Sequence, residues 1–379
     1  MKRKLLAAAM AASMVLSLAA CGGSSASATT AAATTAAEAA ATEAATEAAK
    51  TDETTTAAKA ADGQSFDVTW VSCSTESEFW QYQEIGIRNA ALDMQDKYGI
   101  TVNVSTVGPA TEAETEGYIR AFENAIASKP DAIISATQVP DSTRNVSKEA
   151  MDQGIVVNFT NCGLETLDST EYADCYNQFY TTVSADVGDL AGQIMLEKLE
   201  EAGIPLEGTI AMEFSNVNPS LQPRMDNFKA YVEAKAPGIT VMDTLYNNNS
   251  LEQAQADIEN QISTYGDKLI GIYGANNISG DGIALAVENA GIKDKVVTIG
   301  VDSDPTEIAA LEAGTIDVII VQDAYGQGYA AMENAIETLL QGKNPETEQK
   351  IAMAPIAVTT DNMKEETYAA LLDPTILKK

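Results

Sequence analysis

Short apolar, β-branched runs recur about every 25 to 30 residues through most of the chain, and this spacing limits the possible folds more than any other feature. They fall at 66–71, 101–104, 132–134, 155–157, 209–212, 239–242, 269–273, 296–301 and 316–321. Most are nearly continuous in hydrophobicity rather than alternating, as a parallel strand covered on both faces requires. Helical patterns separate them. Val187, Leu190, Ala191 and Ile194 share one stripe while Asp189, Glu197 and Glu200 lie off it, giving a helix one buried side. Gly99, Gly154, Gly203 and Gly291 follow such segments, where a left-handed cap suits glycine. The expected fold is α/β and doubly wound, with about nine strands divided between two sheets rather than one very wide one.

The first 62 residues stand outside this pattern. Lys2, Arg3 and Lys4 precede an apolar run ending at Ala20, too short for a spanning helix and suited to a secretory signal over 1–20. Leu18-Ala19-Ala20-Cys21-Gly22 resembles the bacterial lipobox, which implies lipidation at Cys21. An ordinary signal peptide with a nearby cysteine is the alternative. Residues 22–62 are almost wholly Ala, Thr, Ser, Gly and acidic residues, without a large apolar side chain. Such a stretch is a disordered tether with a coil span of roughly 35 Å.

Composition excludes several functions. With 55 acidic against 23 basic residues, the net charge of −32 repels nucleic-acid phosphates and anionic lipid heads. The absence of histidine removes His-based triads and His-ligated metal sites. No metal and no cofactor is expected. Gly326-Gln327-Gly328-Tyr329-Ala330-Ala331 spells G-x-G-x-x-A after a strand, but the helical pattern through Leu340 favours small-residue helix packing over dinucleotide binding.

In open α/β sheets ligands bind beyond the carboxyl ends of the strands. The residues after the apolar runs include Glu76, Ser77, Glu78, Phe79 and Trp80; Thr160 and Asn161; Asn216 and Arg224; Asn276 and Asn277; Asp302; and Gln322 and Asp323. Amides, carboxylates and one guanidinium can bond adjacent hydroxyls, and an aromatic ring can cover a sugar's C–H face. Plainer readings stand beside these. Asn277 and Asp304 occupy expected helix N-cap positions, Phe79 and Trp80 could be core, and Arg224 could form a surface ion pair.

From about Phe66 to about Asn362 the chain resembles the type I periplasmic binding proteins of the ribose, galactose and xylose group, the receptors of sugar ABC importers. Ser77-Glu78-Phe79-Trp80 resembles the family's N-P-F-F-type loop, Tyr273-Gly274-Ala275-Asn276-Asn277 its F-x-x-N-D loop, and Ile299-Gly300-Val301-Asp302 its V-G-F-D strand end. Val321-Gln322-Asp323 and Val358-Thr359-Thr360-Asp361-Asn362 fall where the family has its Q-D or Q-x-P and T-x-x-N-type segments. The resemblance implies two doubly wound lobes on a three-segment hinge near Ser184, Gln322 and Met353. One lobe takes 63–184 plus 323–352, the other 185–322 plus 353–379.

By the same resemblance, Phe79, Trp80, Arg224, Asn276, Asp302 and Gln322 take the positions of sugar contacts. The family's Asp-Arg pair after the fourth strand is Asn161-Cys162 here, and its first-loop Asn is Ser77. Asn161 and Glu78 join the candidate ligand-binding residues, with Glu76 and Glu78 as possible compensation for the lost charges. Of the cysteines remaining after Cys21, Cys162 and Cys175 are the preferred disulfide, enclosing an insert at 163–179; buried free thiols are the rival.

The implied protein is a monomeric, non-enzymatic receptor on the outer face of the bacterial cytoplasmic membrane, attached through its lipid anchor. It would capture a sugar or polyol and deliver it to an ABC permease and ATPase that are separate subunits. The alternatives are a sensory receptor serving a kinase or chemoreceptor, and a glycosidase using Glu76 with Glu78 or Asp302 with Asp304.

Overall fold

The computed structural model describes residues 63–218 and 221–379. The expected signal at 1–20, Cys21 and the tether at 22–62 lie outside the described residues.

The chain begins with β1 (Ser65–Val71), α1 (Glu78–Tyr98), β2 (Thr101–Val107), α2 (Thr115–Ser128), β3 (Ala132–Ser135), α3 (Pro140–Asp152), β4 (Val156–Thr160) and β5 (Gln178–Thr182). It continues through α4 (Ser184–Glu201), β6 (Gly208–Phe214), α5 (Gln222–Lys235), β7 (Ile239–Val241), β8 (Leu245–Tyr246), α6 (Leu251–Tyr265), β9 (Leu269–Gly274), α7 (Asn277–Ala290), β10 (Val297–Val301), α8 (Pro305–Ala313) and β11 (Val318–Val321). The final elements are α9 (Ala324–Gln341), β12 (Lys350–Met353), β13 (Ile356–Val358) and α10 (Glu366–Leu372).

Two sheets result. A six-stranded sheet runs β12-β5-β4-β3-β1-β2, and a seven-stranded sheet runs β13-β11-β10-β9-β6-β7, with β8 also pairing β6. Ranked within each lobe, the five main strands of both sheets follow the order 2-1-3-4-5, a doubly wound arrangement. Only β13 pairs antiparallel among the described strands. The apolar runs explain the layering: Val68, Trp70, Val71, Ile133 and Ile134 are buried in the first sheet, and Ile210, Ile272, Ile299 and Ile320 in the second.

The chain passes between sheets at three places: Val183, between β5 and α4; Gln322 and Asp323, between β11 and α9; and Ala354 and Pro355, between β12 and β13. After α10, which packs with the second lobe, the turn Pro374–Leu377 returns to the first lobe, where Asn89 Nδ2 donates to Leu377 O at 2.6 Å.

Helix α9 lies against α1 at contacts that only glycine allows. A Cβ on Gly86 would lie 2.1 Å from Tyr325 O, and one on Gly328 would lie 2.2 Å from Gln83 O. The G-x-G-x-x-A stretch is therefore a helix-packing surface within α9. In the second lobe, a Cβ on Gly188 of α4 would meet Arg224 O of α5 at 2.3 Å.

The insert at 163–179 folds back onto the first sheet. The Glu165 carboxylate pairs with Lys350 Nζ at 3.0 Å and accepts from Tyr172 N, Ser169 Oγ and Tyr176 Oη. The expected Cys162–Cys175 bridge is not formed; both are free, buried thiols, as is Cys73. Their side chains have different neighbours: Cys162 Sγ donates to Asn161 Oδ1 at 2.9 Å, while Cys175 Sγ lies beside Asp174. The Glu165–Lys350 pair holds the insert instead.

Candidate functional site

The carboxyl ends of the strands from both sheets converge on one narrow cavity of 50 Å³. Seven of the eight candidate binding residues line it: Phe79, Trp80, Asn161, Arg224, Asn276, Asp302 and Gln322. Glu78 does not. It occupies the first turn of α1, and its charge acts on Asp281 in the second lobe.

The first lobe supplies the aromatic wall. Phe79 and Trp80 are buried and pack edge to face with ring centroids 5.0 Å apart. Trp80 Nε1 donates to Glu112 Oε1 at 2.6 Å, so the indole's polar end is fixed while its ring lines the cavity. Both aromatics thus belong to the core of the first lobe and to the wall of the cavity.

A continuous amide–carboxylate chain crosses the floor. Asn161 Nδ2 donates to Gln322 Oε1 at 3.1 Å, and Gln322 Nε2 donates to Asp302 Oδ1 at 2.7 Å. Asn161 and Asp302 both have left-handed backbones, with φ of 54° and 76°, unusual for non-glycine residues and a known form of strain at functional sites. Burial pushes the Asp302 carboxyl above its ordinary pKa, while Arg224 and the Gln322 bond pull it down.

Arg224 is buried on α5 rather than exposed in a surface ion pair. Its Nη1 donates to Ala275 O at 2.6 Å, while its buried Nε has no partner. An unpaired guanidinium donor away from water is costly. Its position in the cavity wall suits a ligand oxygen as acceptor.

Asn276, rather than Asn277, occupies the N-cap position of α7, and its side chain makes no capping bond. Its Oδ1 accepts from Ser279 Oγ at 2.6 Å, backed by Asn247 and the buried Glu213. Asp304 is the true cap of α8, accepting from Thr306 N and Glu307 N.

Five lining residues, Glu112, Gln138, Phe214, Ser215 and Leu221, were not among the sequence candidates. Glu112 follows β2 and Gln138 follows β3. Gln138 ties the lobes together, its Oε1 accepting from Asn218 Nδ2 at 2.8 Å, while Glu112 holds the Trp80 indole. The lobes are thus closed on one another. A second cavity of 340 Å³ adjoins the first beside the hinge, sharing Asn161 and Leu221, with Leu167, Phe179 and Pro223 in its wall. Among the described residues no cluster suits a metal ion, and no helix is long and apolar enough to cross a membrane.

Two lobes of repeated strand order, closed over a polar cleft at their strand ends, define a bilobal small-molecule receptor. A family model for the periplasmic binding protein domain matches residues 68–344, and the chain belongs to this family, in the type I group of sugar ABC transporters. It is 27% identical over 245 residues to a putative rhizopine-binding protein of Rhizobium meliloti, covering 64% of this chain and 76% of the relative. It is 25% identical over 293 residues to a D-ribose/D-allose-binding protein of Pseudomonas aeruginosa, covering 76% and 86%. Among solved structures, an ABC transporter solute-binding protein from Agrobacterium vitis with bound D-fucose aligns with a TM-score of 0.70 and 25% identity, over 81% of this chain and 99% of that one.

Proposed function

We propose that this protein is the lipid-anchored extracytoplasmic receptor of an ABC importer. It captures a sugar or related polyol between its lobes and presents the closed form to a separate permease and ATPase. The observation that carries this reading is the cavity itself: Asn161, Gln322 and Asp302 join the two lobes through one hydrogen-bonded chain, beside an unpartnered Arg224 donor and an aromatic wall. The relatives that bind ribose, allose and fucose support this ligand class.

Closure is the signal. A ligand touching both lobes favours the closed state by its differential affinity, and a membrane partner that grips both lobes distinguishes filled from empty. Cys21, by its lipobox-like setting, supplies the anchor. The protein performs no chemistry on its ligand. Asp304, one half of the carboxylate pair considered for glycoside cleavage, is bound to the backbone of its own helix, and Glu78 is outside the cavity.

Calorimetric titration against sugars and polyols tests the reading. With any ligand found, Asp302→Ala is expected to cost about 1.5 to 3 kcal/mol of binding free energy. Unchanged affinity in that variant would remove Asp302 from the contact set, and product formation from a bound glycoside would replace the receptor by an enzyme.

A further inference from the structure

The larger cavity beside the hinge has no part in the reading above; the inference drawn from it rests on that reading and extends the ligand. The two cavities differ in chemistry. The wall of the smaller one keeps a buried donor, Arg224 Nε, without an acceptor. In the wall of the larger one every buried polar side-chain atom has a partner. Thr181 Oγ1 donates to Asn161 O at 2.6 Å, Thr182 Oγ1 accepts from Gln327 Nε2 at 3.1 Å, and Cys162 Sγ donates to Asn161 Oδ1. The Glu165 carboxylate is taken up by Lys350 and by the insert. A hydroxylated guest would leave water for a wall whose polar groups are already engaged.

The apolar side chains of that wall are the incompletely covered ones. Leu167 of the insert, Val183 of the hinge, and Leu221 and Pro223 of the second lobe are only half-buried, and they line a space of 340 Å³. A dry cavity of roughly 150 Å³ already admits benzene. The floor is built for this: the Phe179 ring rests on Gly163, where an added Cβ would lie 2.9 Å from it. Asn161 and Leu221 line both cavities, so a group attached to a ring held in the first has only this divider to pass.

We propose that the hinge cavity is the binding site for an apolar substituent of the ligand. The ligand is then a sugar or polyol joined through a glycosidic or ether oxygen to an apolar group about the size of a benzene ring. The polar cleft selects the hydroxylated head, and the hinge cavity selects what it carries. Because Leu167 and Phe179 belong to one lobe and Leu221 and Pro223 to the other, the substituent is enclosed only on closure and adds to the preference for the closed state.

The experiment is isothermal titration on the intact protein, comparing glucose, galactose and xylose each with its phenyl α- and β-glycosides. At least one phenyl glycoside is expected to bind about tenfold or more tighter than its parent sugar. Ala185→Phe, which fills the cavity from the first turn of α4, is expected to bring that ratio to about one. Leu167→Ala, which strips the wall on the insert, is expected to cut it severalfold, with the melting temperature confirming the fold of both variants. Parents that bind as tightly as all their phenyl glycosides, or a preference that persists in both variants, would overturn this inference and leave the sugar receptor standing. Binding by no sugar and no glycoside would overturn both.

Discussion

The two lobes share a strand order, yet they satisfy their buried polar groups by different chemistry. In the first lobe an amide network runs between sheet and helix: Asn158 Nδ2 donates to Asn334 Oδ1, Asn177 Nδ2 to Asn158 Oδ1, Asn334 Nδ2 to Asn344 Oδ1, and Asn344 Nδ2 to Gln178 Oε1. Most of its members both give and accept, and none changes charge with pH. The second lobe instead buries carboxyls. Glu213 Oε2, Asp281 Oδ1 and both oxygens of Glu307 have no partner. Burial pushes Glu213 up to about 8 and raises Glu307 well above its ordinary value, with Asp304 and Asp281 adding to the latter. Asp281 is raised by burial and by neighbouring Asp304. The same topology can thus satisfy its buried polar groups by an amide network that does not titrate or by carboxyls that depend on retained protons.

The largest effect tests what the lobes have in common. Gly86→Ala and Gly188→Ala each force a Cβ onto a backbone carbonyl across a helix pair, with expected losses of about 3 kcal/mol or more in chemical denaturation. The consequences for binding should differ. Gly188 faces the backbone of Arg224, a cavity residue, so its variant should also weaken the ligand, whereas Gly86 faces the backbone of Tyr325, which does not line the cavity. Equal affinity losses in both would contradict this separation.

The next effect sharpens the chemical contrast. Because the folded pKa of Glu213 is raised, the native state holds a proton that the unfolded chain releases first. Its contribution is complete below about 4.5 and is lost as the pH rises through about 8. Glu213→Gln should flatten this fall by on the order of 3 kcal/mol. Hydrogen exchange should place the pH dependence in the second lobe, with the amide network of the first unaffected.

The smallest effect concerns the contact between the lobes. Gln138→Ala removes the bond to Asn218 at the cleft and should cost about 1 kcal/mol of closure, roughly a fivefold loss of affinity by calorimetry. A larger loss than that from Asp302→Ala would mean that closure contacts outweigh ligand contacts.

The doubly wound order was legible because its main strands are continuous apolar runs. The strands that sequence reasoning missed lack that signal. β5 reads Gln178-Phe179-Tyr180-Thr181-Thr182, with its polar members buried at the hinge, and β12 and β13 are short and half-exposed. The strand-exit rule located most of the cavity but passed over Glu112 and Gln138, although both follow strands. In a chain with 55 acidic residues a single loop glutamate carries no signal, and only folding reveals that its carboxylate accepts from the Trp80 indole. Glu78 failed for the converse reason: adjacency to two lining aromatics does not fix direction, since successive helix positions point about 100° apart. The thiol pairing failed likewise, because separation along the chain does not determine where a side chain points.

The three crossings leave and enter strands that are neighbours, with β5 beside β12 and β11 beside β13. A door hung on pins set close together in one line can swing but cannot slide or twist freely. With each jaw stiffened by its glycine-seated helices, motion is channelled into a single opening angle. One distance between two points on the outer rims then reports the whole state of the molecule, so a partner needs no view of the interior.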